Sequence, residues 1–178
     1  MEYLILVPNL LDKFKRITHL GEKMDEINKK MLEHFNNPKN VGILKNPDGY
    51  ARVKNPICGD LTDMYIKIEN NRIKDIKFKS FGCIVTIASA SALSEVVKEK
   101  ELDEIVENKD PIKMLRDMIL NEFGDIPKEK LHCPPASIEA LLTSIKNYYK
   151  KNKQLKKVNK IEEALSNINW YYKEGVGK

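Results

Sequence analysis

Between residues 64 and 82 the chain changes its period, and that change limits what it can fold into. Met64, Ile66 and Ile68 alternate with Tyr65, Lys67 and Glu69, the two-residue repeat of a half-buried strand. Asn70-Asn71 interrupts the repeat. Asparagine tolerates positive φ, so this pair predicts a tight two-residue turn. Ile73, Ile76 and Phe78 continue as a second strand to about Ser80, and residues 51–54 are a weaker strand candidate upstream. Beyond Gly82 the reading is helical throughout. Residues 84–98 are rich in alanine and serine and suit a closely packed helix, and residues 102–106 make a short one. Pro111 opens another, running to about Phe123, because its fixed φ and missing N–H suit a first turn. Ile138, Leu141, Leu142, Ile145, Tyr148 and Tyr149 mark the apolar face of a long helix after Cys133. Strands first and helices after predict an α+β fold, a small antiparallel sheet of about three strands with helices packed on one face.

The ends are read separately. Residues 1–23 look like an N-terminal extension, with Leu10, Leu11, Phe14 and Ile17 at helical spacing and Gly21 to end it. Met24, a second candidate start besides Met1, begins a fresh helical pattern with Ile27, Met31, Leu32 and Phe35. That helix stops near Pro38, since the residue before a proline disfavours the α conformation. Residues 38–49 read as loop. Residues 24–150 then form the main domain and residues 151–178 a C-terminal helical extension. Within it, the lysine-rich stretch 150–160 reads as a helix face or a linker, and Ile161, Ala164, Leu165 and Ile168 as a last amphipathic helix.

Composition excludes several classes of function. A chain of 178 residues with 42% hydrophobic content suits one domain with its own core. The net charge of +5 is modest, lysines are interleaved with acids, and no basic stretch carries aromatics to stack on bases. No nucleic-acid partner is therefore expected. The apolar run at residues 4–7 is far short of the ~20 residues a membrane span needs, and Glu2 precedes it, so neither a membrane partner nor a signal peptide is expected. Three cysteines, an odd and sparse set, argue against a disulfide framework and for a reducing, cytoplasmic setting.

Those cysteines carry the chemistry. Cys58 sits in Pro56-Ile57-Cys58-Gly59-Asp60 before a strand, Cys83 between a strand and a helix, and Cys133 just before the long helix. All three are at element ends, where side chains can converge. Cys83 and Cys133 stand near helix N-termini, whose partial positive charge favours thiolates, the form that binds metal. Asp60 adds a hard oxygen two residues after Cys58, and His132 and Lys130 flank the third cysteine. Gly59 and Gly82 allow close approach and sharp bends. From spacing alone, unrelated structural cysteines and a closed zinc site both remain open, because no CxxC pair is present. His19 and His34 have no cysteine nearby in sequence and read as structural.

Residues 30–149 resemble the iron–sulfur cluster assembly scaffolds of the IscU/NifU type. The stretches that carry the resemblance are MLEHFNNPKNVG at 31–42, PICGD at 56–60, DIKFKSFGCIVTIASASALSE at 75–95 and KLHC at 130–133. The resemblance implies a non-enzymatic scaffold on which a transient [2Fe–2S] cluster is built and passed to acceptor apoproteins. It implies Cys58, Asp60, Cys83 and Cys133 as ligands of the cluster or of a bound zinc ion, with His132 as a further candidate. It also implies a cysteine desulfurase as sulfur donor, with Cys133 the candidate sulfur acceptor. The family's chaperone-recognition segment usually reads close to LPPVK. Here residues 126–130 keep one proline and place Glu129 before the final lysine, which leaves an Hsp70-type chaperone an open partner. Residues 1–23 and 151–178 have no counterpart in the simple scaffolds.

Overall fold

The computed structural model describes residues 29–123 and 126–173. Three strands, β1 (Gly49–Lys54), β2 (Leu61–Glu69) and β3 (Arg72–Phe81), form an antiparallel sheet in the order β1-β2-β3. The expected turn is present, with Asn70 at φ 49° and Asn71 at φ 62°, and Glu69 pairs with Arg72 across it. Between Lys67 and Ile68 the pairing slips by one residue, which leaves Lys74 as an extra residue on β3 near that turn. Residues 51–54, weak by pattern, are secured as a strand by pairing with β2.

One face of the sheet carries the core. Val53, Met64, Ile66, Ile73, Ile76 and Phe78 are buried there. The helices covering it are α2 (Ile84–Val96) and α5 (Pro134–Lys151). Helix α2 is small-sided. Ala88, Ser89, Ala90, Ser91, Ala92 and Ser94 are all buried, so it lies close to β3, to α5 and to α1 (Lys29–Asn36). Helix α5 presents the expected stripe, with Ile138, Leu141, Leu142, Ile145 and Tyr149 buried. It approaches β1 so closely that a Cβ on Gly49 would lie 2.1 Å from the Ser144 carbonyl oxygen. Two further helices, α3 (Leu102–Val106) and α4 (Pro111–Phe123), complete the layer at the predicted positions.

The lysine-rich stretch is neither a linker nor one helix face. Helix α5 runs to Lys151, a turn follows with Lys153 at φ 56°, and α6 (Leu155–Ser166) starts inside the stretch. Lys157 bonds both Asp103 and Glu107, which clamps α6 to α3. Ile168 belongs to a separate helix, α7 (Ile168–Lys173), because the chain turns at Asn167. The expectations for residues 1–28, including the helix from Met24, lie outside the described residues, apart from the end of that helix in α1. No described helix is long and apolar enough to cross a membrane.

Candidate metal centre

The centre is built where three connections meet at one end of the sheet. The loop from Asn55 to Asp60 joins β1 to β2 and closes on itself, Asn55 N–H donating to the Asp60 carbonyl and Gly59 N–H to the Asn55 carbonyl. Gly59 has φ 81°, a conformation that strains any residue with a Cβ. Asn55 is 1% exposed, and its side-chain amide is hydrogen-bonded through both its oxygen and its nitrogen. Its Oδ1 accepts from the N–H groups of Ile57 (2.9 Å) and Cys58 (3.4 Å), and its Nδ2 donates to the His132 carbonyl (2.8 Å). One buried amide thus ties the loop of the first cysteine to the segment of the third.

Gly82 and Cys83 follow β3, and Cys83 is the N-cap of α2. A Cβ on Gly82 would lie 2.5 Å from the Asp60 carboxylate, so glycine leaves the space that the carboxylate fills. Asp60 Oδ2 accepts from the Thr86 hydroxyl (2.5 Å) and from Cys83 N–H (3.1 Å). The carboxylate thereby ties the loop of the first cysteine to the first turn of α2. Cys133 is the N-cap of α5, followed by Pro134 and Pro135 in the first turn, where their missing N–H groups cost nothing.

These ends bring together all five residues singled out from sequence. The donor atoms fall into two groups, each with every pair within 4.8 Å: Cys58, His132 and Cys133 in one, and Asp60, Cys83 and Cys133 in the other. Cys133 is common to both. The sulfurs of Cys83 and Cys133 are 3.6 Å apart, and Cys83 Sγ lies 3.5 Å from the Thr86 hydroxyl. Exposure is graded, with Cys58 open to solvent, Cys83 half-buried and Cys133 fully buried.

The electrostatics divide the thiols. The S–H of Cys133 beside it brings Cys83 down to about 5, against burial, with help from Thr86 and from the charge on Lys130. Cys133 is pushed far up by the same contact and by burial. Of the two helix-capping cysteines, this contact favours Cys83 as the first to ionise in the metal-free pair. Two sulfurs in contact in a buried site ionise one at a time. Burial also raises Cys58. Burial would raise Asp60, but its hydrogen bonds from Thr86 and Cys83 outweigh this and hold it below the usual carboxylate range. Burial and then the Lys130 charge lower His132, which favours the neutral imidazole. Its Nδ1 is buried with no hydrogen-bond partner among the described residues.

The donor set is three sulfurs, one ionised carboxylate and one imidazole nitrogen, a mixture suited to iron or zinc and poor for magnesium or calcium. His34 lies elsewhere, its Nδ1 2.8 Å from the Ser91 hydroxyl, in keeping with a structural role. Sequence reasoning missed Asn55 and Thr86. The one signal for Asn55 was its place before Pro56, where asparagine habitually bonds its own turn. Thr86 stands three residues into a helix whose cap lacks an oxygen, a weak signal at best.

The chain is similar to known proteins over most of its length. Residues 26–155 match the family model described as the NifU-like N terminal domain. The chain is 40% identical over 132 residues to the iron-sulfur cluster assembly scaffold protein IscU 1 of Archaeoglobus fulgidus, covering 74% of this chain and 82% of that protein. It is 37% identical over 141 residues to the iron-sulfur cluster assembly scaffold protein IscU of Aquifex aeolicus, covering 78% of this chain and 86% of that one. Its fold is similar to the crystal structure of the N-terminal part of a NifU-like protein from Brucella abortus, with a TM-score of 0.58, 21% identity, and coverage of 72% and 98%.

Proposed function

The chain belongs to the family of NifU-like N-terminal domains, and on that premise we propose that it is a scaffold on which an iron–sulfur cluster is assembled and then handed to acceptor apoproteins. The observation that carries the reading is the convergence of Cys58, Asp60, Cys83, His132 and Cys133 on two donor groups with a shared sulfur. Cys83 supplies a thiolate at neutral pH, and Asp60 is held ionised by Thr86 and the Cys83 N–H. His132 offers a neutral nitrogen. The cargo is a [2Fe–2S] cluster on the three sulfurs and one oxygen or nitrogen. A carboxylate is a harder ligand for iron than a fourth thiolate, so the set holds the cluster without locking it in.

Sulfur comes from a cysteine desulfurase. Cys133, its candidate acceptor, is buried, so delivery there requires part of the wall to move. The 3₁₀ turn Lys128–Lys130 buries none of its residues and is the cheapest part to displace. The role is that of a binding site and not of an enzyme in a reducing cytoplasm. Asp60 is engaged by Thr86 and Cys83 and does not orient His132 as the base of a cysteine nucleophile. The same sulfur-rich donors suit tetrahedral zinc, and the isolated protein carries it in exchangeable form.

The test is anaerobic reconstitution with iron, a desulfurase and cysteine. A visible sulfide-to-iron charge-transfer spectrum with stoichiometric acid-labile sulfide is expected. Iron uptake with no labile sulfide ends the scaffold reading, and zinc that resists chelators supports a closed structural site instead.

Asp60→Ala is expected to keep its cluster and to release it to an apo-ferredoxin more slowly, by about tenfold, or about 1.4 kcal/mol on the barrier. Asp60 is the hard donor of the set and the natural point for an incoming thiolate. Without it, His132 closes the position. Faster release from the alanine variant, followed by cluster absorbance, would make Asp60 a stabilising ligand and reject this account.

A further inference from the structure

The face of the sheet opposite the core carries no described helix. Its side chains form rows across the strands. Tyr50, Tyr65 and Lys77 make one row, Arg52, Asp63 and Lys79 the next, and Lys54, Leu61 and Phe81 the last. The charges are one-sided. Asp63 is the only carboxylate in these rows, and Arg52 grips it with two hydrogen bonds while Tyr50 donates a third. Lys54, Lys77 and Lys79 have no ion-pair partner among the described residues, and Lys54 and Lys79 are exposed. The apolar residues gather at the end next to the metal centre. Phe81 is 81% exposed, two residues from Cys83, and its cross-strand neighbour Leu61 follows Asp60. Ile57, beside Cys58, is exposed as well. A large aromatic left in water beside a site, with uncompensated lysines behind it, is the anatomy of an apolar anchor with a charged rim.

We propose that this face docks an acidic acceptor protein, with Phe81 as the anchor and Lys54, Lys77 and Lys79 pairing with the acceptor's carboxylates. The proposal rests on the scaffold reading. The charge argument is direct. A cluster on thiolates is anionic, and an acceptor brings further thiolates to it, so the two sites repel as they approach. Uncompensated lysines on the adjoining face supply an opposing attraction and speed encounter. Transfer itself is a ligand exchange. The acceptor's thiolates replace the scaffold's ligands on iron, and no electron is gained or lost.

The experiment uses the full chain, loaded with its cluster, and an acidic apo-ferredoxin as probe. Transfer is followed by circular dichroism against probe concentration at low and high salt. For wild type, the second-order constant should fall as salt rises, because screening shortens to about 10 Å by 0.1 M. Lys77→Glu/Lys79→Glu should lower that constant by about tenfold at low salt and remove its salt dependence. Phe81→Ala should slow transfer and leave the salt dependence intact. Thermal melting and the spectrum of the loaded cluster check that both variants fold and load. Equal constants for wild type and the double variant overturn the proposal. So does slowed desulfurase-driven assembly with normal transfer, which assigns the face to the donor. So does RNA binding by wild type that the double variant loses while transfer is unchanged. A wild-type chain that takes up no cluster overturns the scaffold reading and this proposal with it.

Discussion

Cys133→Ser is expected to abolish cluster binding, while Cys58→Ser and Cys83→Ser each leave partial metal retention. The difference follows from the shared corner. Loss of Cys58 leaves the group Asp60, Cys83 and Cys133, and loss of Cys83 leaves Cys58, His132 and Cys133. Loss of Cys133 leaves neither group complete. Serine is nearly isosteric, so the burial of Cys133 should not itself unfold the chain. Its hydroxyl is a poor iron ligand, although it can still donate to the Cys83 thiolate in place of the S–H. Iron and labile sulfide per chain after reconstitution give the measurement. Equal losses in all three variants would mean that the two groups act as one closed set and that the sharing has no consequence.

Asn55→Ala is expected to be the most damaging change outside the donors. It removes three hydrogen bonds at a buried site and leaves the His132 carbonyl without that donor. Buried groups left unpaired cost about 1–3 kcal/mol each, so a loss of about 2–3 kcal/mol in stability is expected. The effect on metal should be separate. The loop holding Cys58 would lose its fixed relation to His132 and Cys133, and disrupting support of this kind weakens metal affinity about 10–100-fold. Denaturant unfolding of the metal-free protein gives the first quantity and competition with a chelator the second. Weaker affinity at wild-type stability would still support the positioning role. Unchanged affinity would remove it.

The sheet and most helices were legible because their periods are strong. Asn70-Asn71 fixed the hairpin, and the stripe from Ile138 to Tyr149 fixed α5. The first strand read weakly because residues 51–54 are short and take their definition from pairing with β2. The lysine-rich stretch misled because its helix is held by contacts distant in sequence, from Lys157 to Asp103 and Glu107. At the metal centre the donors were legible, since the three cysteines stand at element ends and the resemblance to the scaffold family singles out Asp60 and His132 beside them. What holds them was not. Asn55 reaches across 77 positions to His132, and Thr86 reaches Asp60 across 26. Nor could sequence divide the thiols into one acidic and one resistant, because that division comes from two sulfurs meeting 3.6 Å apart.

That meeting also sets the protein's relation to oxygen. A disulfide needs its sulfurs about 2.05 Å apart, so Cys83 and Cys133 stand roughly 1.5 Å short of bonding. One of them is already the reactive anion. Before iron arrives the pair is a dithiol open to two-electron oxidation by a peroxide or a small disulfide, and bridging these two would spoil both donor groups together, since Cys133 serves each. Occupancy by metal withholds the electron pairs that such oxidation requires. Cargo therefore guards its own carrier, and the vulnerable interval is the one between release of one cluster and arrival of the next iron.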